Sequence, residues 1–446
     1  MSTNPSFTII VIGGGVAGLA ASIGLRRKGH KVLILESSTT LQTLGGSLLI
    51  PPNAARVLDS YGIWEKFKES ETVPSGNTTF RYQDGKVLEG VEYAAMEGTF
   101  GYAVMAPSRA KYQRLLYDAA IELGVEVKLS SRIKCLDETT PSVTLTSGEK
   151  IKGDIIIGAD GIKSKVRSEI LREEDVKPLP ESIAYQCNIS GDDMRGDPVT
   201  APLMEEGAIH SWYGPSRQMI CGPDSSSSVY RMTLIFYPNS TLSSDDILAA
   251  NSSSSYRLGS IDSLRECVKD FEPRVRKFAS LVKPEDCFLW KIAHLPKLES
   301  WISKSGKVAI LGDAAHAMVP HLGAGAATAV EDGAVLAECL SYAQSTSDIP
   351  KSLQTYEKIR RPRAERIQAT ALITGQYKVM ADGPAQVKRD EKMAQRMDKA
   401  NPRYEYWKAG GGLEWLYGYD FMKEVGRESG DSTSEIVVKY SSSYKL

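Results

Sequence analysis

The start of the chain combines two apolar runs with a glycine-rich turn between them. Residues 7–12 (FTIIVI) form the continuous apolar run of a strand that is buried on both faces. Glycines follow, and apolar residues then recur at the spacing of a helix, at Val16, Leu19, Ala20 and Ile23. A second apolar run, residues 32–35, ends at Glu36. The pattern predicts a strand, a helix and a second buried strand.

Two later apolar runs predict further buried strands, and each ends in a short motif of small and acidic residues. Residues 155–157 run into Ala159-Asp160-Gly161, and residues 308–311 run into Gly312-Asp313. A small-residue run, 323–327, then opens a long helix that carries Glu331 and Asp332.

The segments between these motifs have the pattern of short strands. Residues 80–88 predict a hairpin around Asp84-Gly85. Four more strands are predicted at 182–189, 208–213, 217–221 and 228–237. From residue 346 onward the pattern is helical and ends in a polar tail. The predicted fold class is therefore α/β, with an inserted antiparallel sheet and C-terminal helices.

These elements predict units that are discontinuous along the chain. The first unit comprises residues 1–75, 100–178 and 287–345, and the inserted unit comprises residues 76–99 and 179–286. Residues 346–446 form the helical C-terminal region.

Composition narrows the classes of partner. The chain has 446 residues, 42% of them hydrophobic, and a formal net charge of −1. Without a basic field, neither nucleic acid nor an anionic membrane is an expected partner. The six cysteines are scattered, with no CxxC pair and no His/Cys cluster, so we expect reduced thiols, a cytoplasmic protein and no metal site.

The glycine-rich turn reads GxGxxG and matches a dinucleotide-binding motif. Gly13 would make the tight turn, Gly15 would let the backbone approach a pyrophosphate at the helix N-terminus, and Gly18 would let helix and strand pack closely. Glu36 is placed to accept a hydrogen bond from a ribose hydroxyl. The motif alone leaves FAD and NAD open, but an acid at this position argues against NADP there.

Other residues favour a flavin. Ser108 can cap a helix that runs to Leu123, and Arg109 in its first turn is unfavourable for the helix dipole, so contact with phosphate or flavin is expected. Asp313, at the end of a predicted strand, can hold ribityl hydroxyls. The small-residue helix start at Gly325 offers backbone N–H groups to the electron-rich isoalloxazine edge.

In this order, the three motifs resemble those of the class A FAD-dependent monooxygenases, which have the para-hydroxybenzoate hydroxylase fold. The chain is similar to the fungal salicylate-hydroxylase-like branch of secondary metabolism over most of its length, including Pro52-Asn53-Ala54 and Asp382-Gly383-Pro384. The resemblance implies a Rossmann-like FAD-binding domain with an inserted antiparallel-sheet substrate domain. Where the family often has glutamine between two glycines, this chain has Ala324.

The expected FAD contacts come from all three motifs and from the segments between them. They are Gly13, Gly15, Gly18, Glu36, Gly46, Arg109, Asp160, Asp313, Gly325 and Ala326. Asp160, together with Gly161, is expected to support the pyrophosphate region and transient nicotinamide binding.

The resemblance also implies a reaction. NADPH or NADH would reduce FAD, O2 would add at the flavin C4a, and the hydroperoxide would pass one oxygen atom to an electron-rich aromatic or indole-type molecule. A flavin oxidase or reductase of the same fold is the alternative, as is a halogenase, although the WxWxIP segment of halogenases does not occur here. A non-catalytic flavin-binding protein is a third reading.

The substrate-side residues follow less directly from the pattern. Tyr213 could orient or deprotonate a substrate hydroxyl, or it could be a cross-strand aromatic residue. His210 is a second catalytic candidate and could equally be an ordinary sheet histidine, while His316 and His321 flank the flavin segment.

One position departs from the family pattern. Many fungal relatives have Tyr-Arg on the first substrate-domain strand, where this chain has Tyr185-Gln186. An amide cannot pair with an oxyanion as a guanidinium does, and Arg195 lies in a polar segment typical of a solvated turn. With Gln186 as the substrate contact, we expect a neutral substrate such as an indole or a prenylated alkaloid.

Overall fold

The computed structural model describes most of the chain. The described residues are 5–41, 46–70, 73–171, 176–224, 226–237, 256–398 and 412–429. The polar tail predicted after the last helix lies outside them.

Strands and helices alternate in the first part of the chain, and helices dominate the last part. The strands are β1 (Thr8–Ile12), β2 (Lys31–Leu35), β3 (Gly76–Arg81), β4 (Val87–Glu92), β5 (Glu126–Lys128), β6 (Ile133–Asp137), β7 (Ser142–Leu145), β8 (Lys150–Lys152), β9 (Ile155–Gly158), β10 (Leu179–Ser190), β11 (Ile209–Gly214), β12 (Arg217–Pro223), β13 (Val229–Phe236), β14 (Tyr256–Leu258), β15 (Cys287–His294) and β16 (Val308–Ile310). The helices are α1 (Val16–Arg27), α2 (Pro52–Ser60), α3 (Trp64–Ser70), α4 (Tyr93–Phe100), α5 (Arg109–Glu122), α6 (Lys165–Leu171), α7 (Gly191–Arg195), α8 (Ala201–Glu205), α9 (Ile261–Cys267), α10 (Pro273–Ser280), α11 (Asp313–His316), α12 (Gly325–Ser341), α13 (Ile349–Lys378), α14 (Pro384–Gln395), α15 (Glu414–Tyr417) and α16 (Phe421–Ser429).

A parallel sheet holds the buried strands that the sequence predicts. Its order is β16-β9-β1-β2-β5, and β1 pairs in parallel with both β2 and β9. All residues of β9 and β16 are buried, which explains why these strands appear in the sequence as unbroken apolar runs. The prediction of a Rossmann-like α/β unit is confirmed.

Two helices pack closely on this sheet. Helix α1 connects β1 to β2, and α12 packs along α1. A Cβ atom at Gly333 of α12 would lie 2.6 Å from the backbone nitrogen of Ala21. Glycine therefore lets the two helix backbones approach each other, and the helix start after β16 lies close to the helix start after β1.

A second sheet of eight strands contains the predicted insert. Its order is β14-β15-β10-β13-β12-β11-β3-β4, and the hairpin predicted at residues 80–88 forms its β3–β4 edge. Most neighbours are antiparallel, but β3 and β11 run parallel, so the sheet is mixed and not fully antiparallel as expected. Two strands that are joined by a tight turn must run antiparallel. The connection between β3 and β11 is long, so these two strands can pair in either direction.

The second sheet extends beyond the predicted insert. Strand β15 begins at residue 287, where the third segment of the first unit is predicted to start, and it pairs with β10 of the second sheet. Phe288 is half-buried and Leu289 is buried, the alternation expected of any strand with one buried face. Nothing in this pattern marks a domain boundary.

One face of the second sheet is covered by short helices. Its buried residues, among them Trp212, Tyr230 and Phe236, pack against Val275 and Phe278 of α10. The other face is directed towards the parallel-sheet unit, because Gln186 on β10 lies against Gly46. The candidate site lies between the two units.

The C-terminal helices connect the units. Helix α13 is 30 residues long and packs against α12, and α14 packs against β4. Residues Phe421 and Val425 of α16 belong to the same hydrophobic core as the parallel sheet. Among the described residues, no helix is long and apolar enough to span a lipid bilayer.

Candidate functional site

The three glycines of the first motif have different surroundings. Gly13 has a φ of +109°, and a Cβ there would lie 2.4 Å from the carbonyl oxygen of Ala159. A Cβ on Gly18 would lie 2.0 Å from the carbonyl oxygen of Gly13. A Cβ on Gly15, by contrast, would meet no heavy atom within 4 Å. Gly13 and Gly18 therefore shape the turn, while Gly15 leaves open space at the N-terminus of α1, as a pyrophosphate requires.

Glu36 lies at the edge of this turn. Its carboxylate accepts hydrogen bonds from the backbone N–H groups of Gly14, at 2.7 Å, and Ser38, at 2.8 Å. Gln113 of α5 donates to the carbonyl oxygen of Gly14 at 2.7 Å and fixes the turn from the other side. The acid predicted to bind ribose is thus held beside the space that Gly15 leaves open.

The segment after residue 45 joins the cofactor motifs to the second sheet. The backbone N–H of Arg109 donates to the carbonyl oxygen of Gly46 at 3.0 Å, and Ser108 caps α5 as predicted by accepting from the N–H of Lys111. A Cβ on Gly46 would lie 2.1 Å from Nε2 of Gln186. The structure therefore brings together the predicted cofactor residue Gly46 and the predicted substrate residue Gln186. The side chain of Arg109 is exposed.

Asp160 supports the site from behind. Its carboxylate accepts hydrogen bonds from Ser164 Oγ at 2.5 Å and from the N–H groups of Lys165 and Val166, so it caps α6. Burial raises the pKa of Asp160. These hydrogen bonds fix Asp160 at the start of α6, next to Ala159, whose carbonyl oxygen faces Gly13.

The third motif lies next to the first. Gly312 has a φ of +59°, and a Cβ there would lie 2.7 Å from the Cβ of Ala17 in α1. Asp313, the first residue of α11, has an exposed side chain. Gly325 and Ala326 are half-buried in the first turn of the 17-residue helix α12, where the positive end of the helix dipole lies. These placements fit the ribityl and isoalloxazine contacts that were predicted.

His321 joins the cofactor unit to the second sheet. Its ring nitrogens hydrogen-bond to Gln218 on β12 and, at 3.0 Å, to the hydroxyl of Tyr237 after β13. Lys378 at the end of α13 donates to the carbonyl oxygen of His321 at 2.7 Å. Burial, together with Lys378, lowers the pKa of His321 to about 3, so its ring is neutral near pH 7. The sequence singled out His321, but Gln218, Tyr237 and Lys378 had no recognisable motif.

His316 has a structural role. Its Nε2 bonds at 2.5 Å to Asp332, which also accepts the N–H of Gly312 at 3.0 Å. Asp332 thereby fixes the turn that presents Asp313.

Tyr213 shares the cofactor-facing side of the second sheet with Gln186. Cross-strand partners share a face of the sheet, and the register connects Tyr213 through Gln218 and Ile235 to Ala184. Ala184 lies two residues from Gln186 on the same strand and therefore on the same face. However, the Tyr213 ring is buried with Leu88 and Met393 beneath the C-terminal helices. Burial raises the pKa of Tyr213, and a hydrogen bond links it to Thr79. The geometry favours the cross-strand packing role over that of a base.

His210 lies on the opposite face of the sheet. Its nitrogens bond to Tyr230 Oη at 3.2 Å and to Glu206 Oε2 at 2.7 Å, and its ring lies near Phe80 and Trp212. Because side chains alternate along a strand, His210 points under the short helices and away from Gln186. The structure does not support the catalytic role that the sequence suggested for His210.

A buried ion cluster, which sequence reasoning missed, supports the cofactor helix. Glu331 accepts from Arg360 at 2.7 Å, from Arg363 at 2.8 Å and from Asn53 at 2.7 Å, and Asp332 pairs with Arg360 at 2.8 Å. Burial opposes ionisation of Glu331, but Arg363 and Arg360 outweigh it and lower its pKa. In the sequence, the only hint of this cluster is the pair of adjacent acids within a helical pattern. Their arginine partners lie about thirty residues further along the chain, on α13.

Comparison with known proteins agrees with this geometry. A family model described as an FAD binding domain matches residues 6–201 and 263–371. The FAD-dependent monooxygenase OpS4 of Beauveria bassiana (strain ARSEF 2860) is 29% identical over 416 residues, covering 92% of this chain and 95% of the relative. Hispidin-3-hydroxylase of Neonothopanus nambi is 29% identical over 380 residues, covering 82% and 87%.

Solved structures have the same fold. CtdE in complex with FAD and a substrate superposes with a TM-score of 0.80 at 24% identity, covering 95% of this chain and 98% of that one. A salicylate hydroxylase substrate complex gives a TM-score of 0.76 at 22% identity, covering 94% and 97%. With the matched motifs and the arrangement of Gly15, Glu36 and Gly46, the chain belongs to the FAD-binding-domain family and is an FAD-dependent monooxygenase of the class A flavoprotein fold.

Proposed function

We propose that this monooxygenase uses NADPH or NADH to insert one oxygen atom from O2 into an electron-rich aromatic or indole-type small molecule, in secondary metabolism and in the cytoplasm. The observation that carries the proposal is the contact between Gly46 and Gln186, because it places the cofactor segment directly against a polar sheet face. The relatives OpS4 and hispidin-3-hydroxylase support a monooxygenation reaction.

The residues of the candidate site fit FAD. Gly15 leaves space at the start of α1, Glu36 stands beside it, and Asp313 is exposed at the end of β16. We propose that these residues hold the pyrophosphate, a ribose and the ribityl chain respectively, and that Arg109 adds a cation at the start of α5. Gly325 and Ala326 would direct N–H groups towards the isoalloxazine. Bound FAD supplies the redox chemistry and the activation of O2.

The protein's share is placement and exclusion of water. Half-buried apolar side chains lie next to the cofactor segment at the start of α12: Leu49 contacts Gly323, and Leu322 and Tyr417 pack in the cluster that contains Ala324. Such a lining suits an aromatic substrate held in a dry site, where a reactive oxidant is protected from water. His321, neutral and hydrogen-bonded on both sides, keeps the cofactor segment and the sheet in fixed register.

The test is product analysis of the purified holoprotein. We expect nicotinamide oxidation to accelerate when a phenol or indole from a panel is added, and mass spectrometry to show a product with one more oxygen. If a substrate accelerates nicotinamide oxidation and is recovered unchanged with hydrogen peroxide, the protein acts as a flavin oxidase and the proposal is wrong.

The cofactor assignment can be tested at Asp313. Replacing Asp313 with alanine removes a charged hydrogen-bond partner, a loss of about 1.5–3 kcal/mol, and we expect FAD affinity to fall about 10–100-fold. The matched control is Asp262→Ala, because Asp262 has a 98% exposed side chain on α9 of the other unit. Flavin titration by fluorescence measures both. Unchanged affinity in Asp313→Ala would contradict the assigned contact.

A further inference from the structure

The strand that pairs with the strand of Gln186 carries a cation on the same face of the sheet. Gln186 on β10 pairs with Thr233 on β13, and Arg231 lies two residues along β13 from Thr233. Side chains two residues apart on a strand share a face. Diagonal neighbours on one face lie about 7–8 Å apart, a distance that an arginine side chain can span.

The direction of Arg231 follows from its neighbours. Tyr230 and Met232 are fully buried in the cluster beneath the short helices, so the residues between and after them point to the cofactor side. Arg231 and Thr233 are both half-buried there.

Arg231 extends towards the cofactor segment. Its Nη1 donates to the hydroxyl of Ser47 at 3.3 Å. Ser47 follows Gly46, whose Cα faces Gln186, and it forms a bridge with Ser108 at the start of α5. The guanidinium therefore spans the same cleft that Gln186 faces, one residue away from a proposed FAD contact.

The anionic neighbour of Arg231 is a weak competitor. Nη2 of Arg231 lies 3.5 Å from Oδ2 of Asp224, which is long for an ion pair. The other oxygen of Asp224 accepts from the N–H groups of Ser228, at 3.0 Å, and Val229, at 3.2 Å, and from Ser226 Oγ. Asp224 therefore meets Arg231 only through Oδ2 and at a long distance, and the remaining donors of the planar guanidinium are suited to a second anion.

Arg195, the other arginine considered from the sequence, is placed differently. It pairs with Asp192 at 2.7 Å and donates to the carbonyl oxygen of Ser227 at 2.8 Å, and its side chain is 44% exposed. It lies on α7, on the side of the sheet away from Gly46, and it provides a control.

Building on the proposed function, we propose that Arg231 is a specificity-determining residue that pairs with an anionic oxygen of the substrate. The substrate class is then an aromatic or indole-type acid or phenolate, and not the neutral molecule that Gln186 alone suggests. Gln186 would hydrogen-bond the same ligand from the neighbouring strand, and the guanidinium would supply the charge and the two-pronged geometry that an amide lacks.

The experiment uses a matched pair of probes with the purified holoprotein. Salicylate is an anion at neutral pH and salicylamide is its uncharged analogue, and each is titrated while the flavin absorbance change is followed. We expect the wild-type protein to bind salicylate at least about tenfold more tightly than salicylamide, the size of one charged hydrogen-bond pair. In Arg231→Gln that ratio should fall to about one, and in Arg231→Lys it should be intermediate because the charge remains without the fork.

The controls separate this role from others. Arg195→Gln should keep the wild-type ratio, and all variants should keep the wild-type FAD content. An unchanged ratio in Arg231→Gln, no binding of either probe to the yellow wild-type protein, or loss of FAD in Arg231→Gln would each overturn the proposal. Wild-type protein that cannot be reconstituted with FAD would instead overturn the proposed function itself.

Discussion

Gly15 and Gly18 belong to one motif but have different surroundings. At the scale of single residues, this difference distinguishes a glycine that the fold requires from a glycine that leaves space for a ligand. A Cβ on Gly18 meets a backbone oxygen at 2.0 Å, whereas a Cβ on Gly15 has open space around it. A pattern of glycines in the sequence shows neither distance. Gly18 thus serves the chain's own packing, whereas Gly15 leaves the open space in which we propose that the pyrophosphate binds.

Alanine substitutions should therefore have opposite signatures. Gly18→Ala forces a backbone shift and should lower the free energy of unfolding of the apoprotein by about 1–3 kcal/mol or more. Gly15→Ala should change it by less than about 1 kcal/mol, yet weaken FAD binding because the methyl group occupies the pyrophosphate space. Urea denaturation and flavin titration measure the two effects. Full FAD affinity in Gly15→Ala would contradict the placement of the pyrophosphate.

Gln186 and His210 form a second pair, on opposite faces of one sheet. His210→Asn should leave kcat and KM within about twofold and lower the free energy of unfolding by about 1–3 kcal/mol, because Tyr230 loses a buried partner. Gln186→Ala should change KM, with little effect on stability, because its amide faces the cleft. Steady-state kinetics on the substrate that the product screen finds would check both. A large loss of kcat in His210→Asn would return His210 to the catalytic candidates.

At the scale of elements, the cofactor helix α12 depends on α13 through buried charges. Arg360 is fully buried between Glu331 and Asp332, and Arg363 pairs with Glu331 while donating to the carbonyl oxygens of Trp415 and Leu416. The cluster thus ties α12 both to α13 and to α15. Removing one partner of a buried pair costs about 3–5 kcal/mol, since it leaves the other charge uncompensated.

This cluster predicts a dependence of stability on pH. Burial raises the pKa of Asp332, but His316 and Arg360 outweigh burial and lower it to about 2. Because this folded-state pKa lies below the ordinary value of 3.8, the contribution of Asp332 is present above pH 4 and is lost as the pH falls towards 2.

The matched variant is Asp332→Asn. It should be about 3 kcal/mol less stable than wild type at pH 7, with a shallower fall in stability between about pH 4 and 2. Chemical denaturation at a series of pH values measures this. Parallel pH profiles for the two proteins would show that Asp332 is not the group that titrates.

The sequence predicted those features that local residue patterns determine, and it missed those that depend on contacts between distant parts of the chain. Strands such as β1 and β9 and the cap at Ser108 follow from local patterns, and the structure confirms them. The face on which His210 lies and the parallel pairing of β3 with β11 depend on register and on long connections, which no local pattern encodes. Likewise, Asp160 reads as a ligand residue in a motif, but its hydrogen bonds to the start of α6 appear only in three dimensions.

At the scale of the whole molecule, function depends on two sheets that meet at a few residues. Gly46 lies against Gln186, His321 bonds to Gln218 and Tyr237, and Arg231 bonds to Ser47. Every one of these contacts joins a cofactor segment to the second sheet. The motifs predicted the two partners of the first contact separately, but only the fold shows that they meet.

In the proposed function, these two units hold an aromatic molecule beside FAD so that one atom of O2 enters it. Turnover of the purified holoprotein with NADPH or NADH under an atmosphere of oxygen-18, followed by mass spectrometry of the product, tests this claim most directly. We expect a product that carries a single oxygen-18 atom, and no such product when FAD or the nicotinamide is omitted. A product whose new oxygen comes from water, or turnover that yields only labelled hydrogen peroxide, would contradict it.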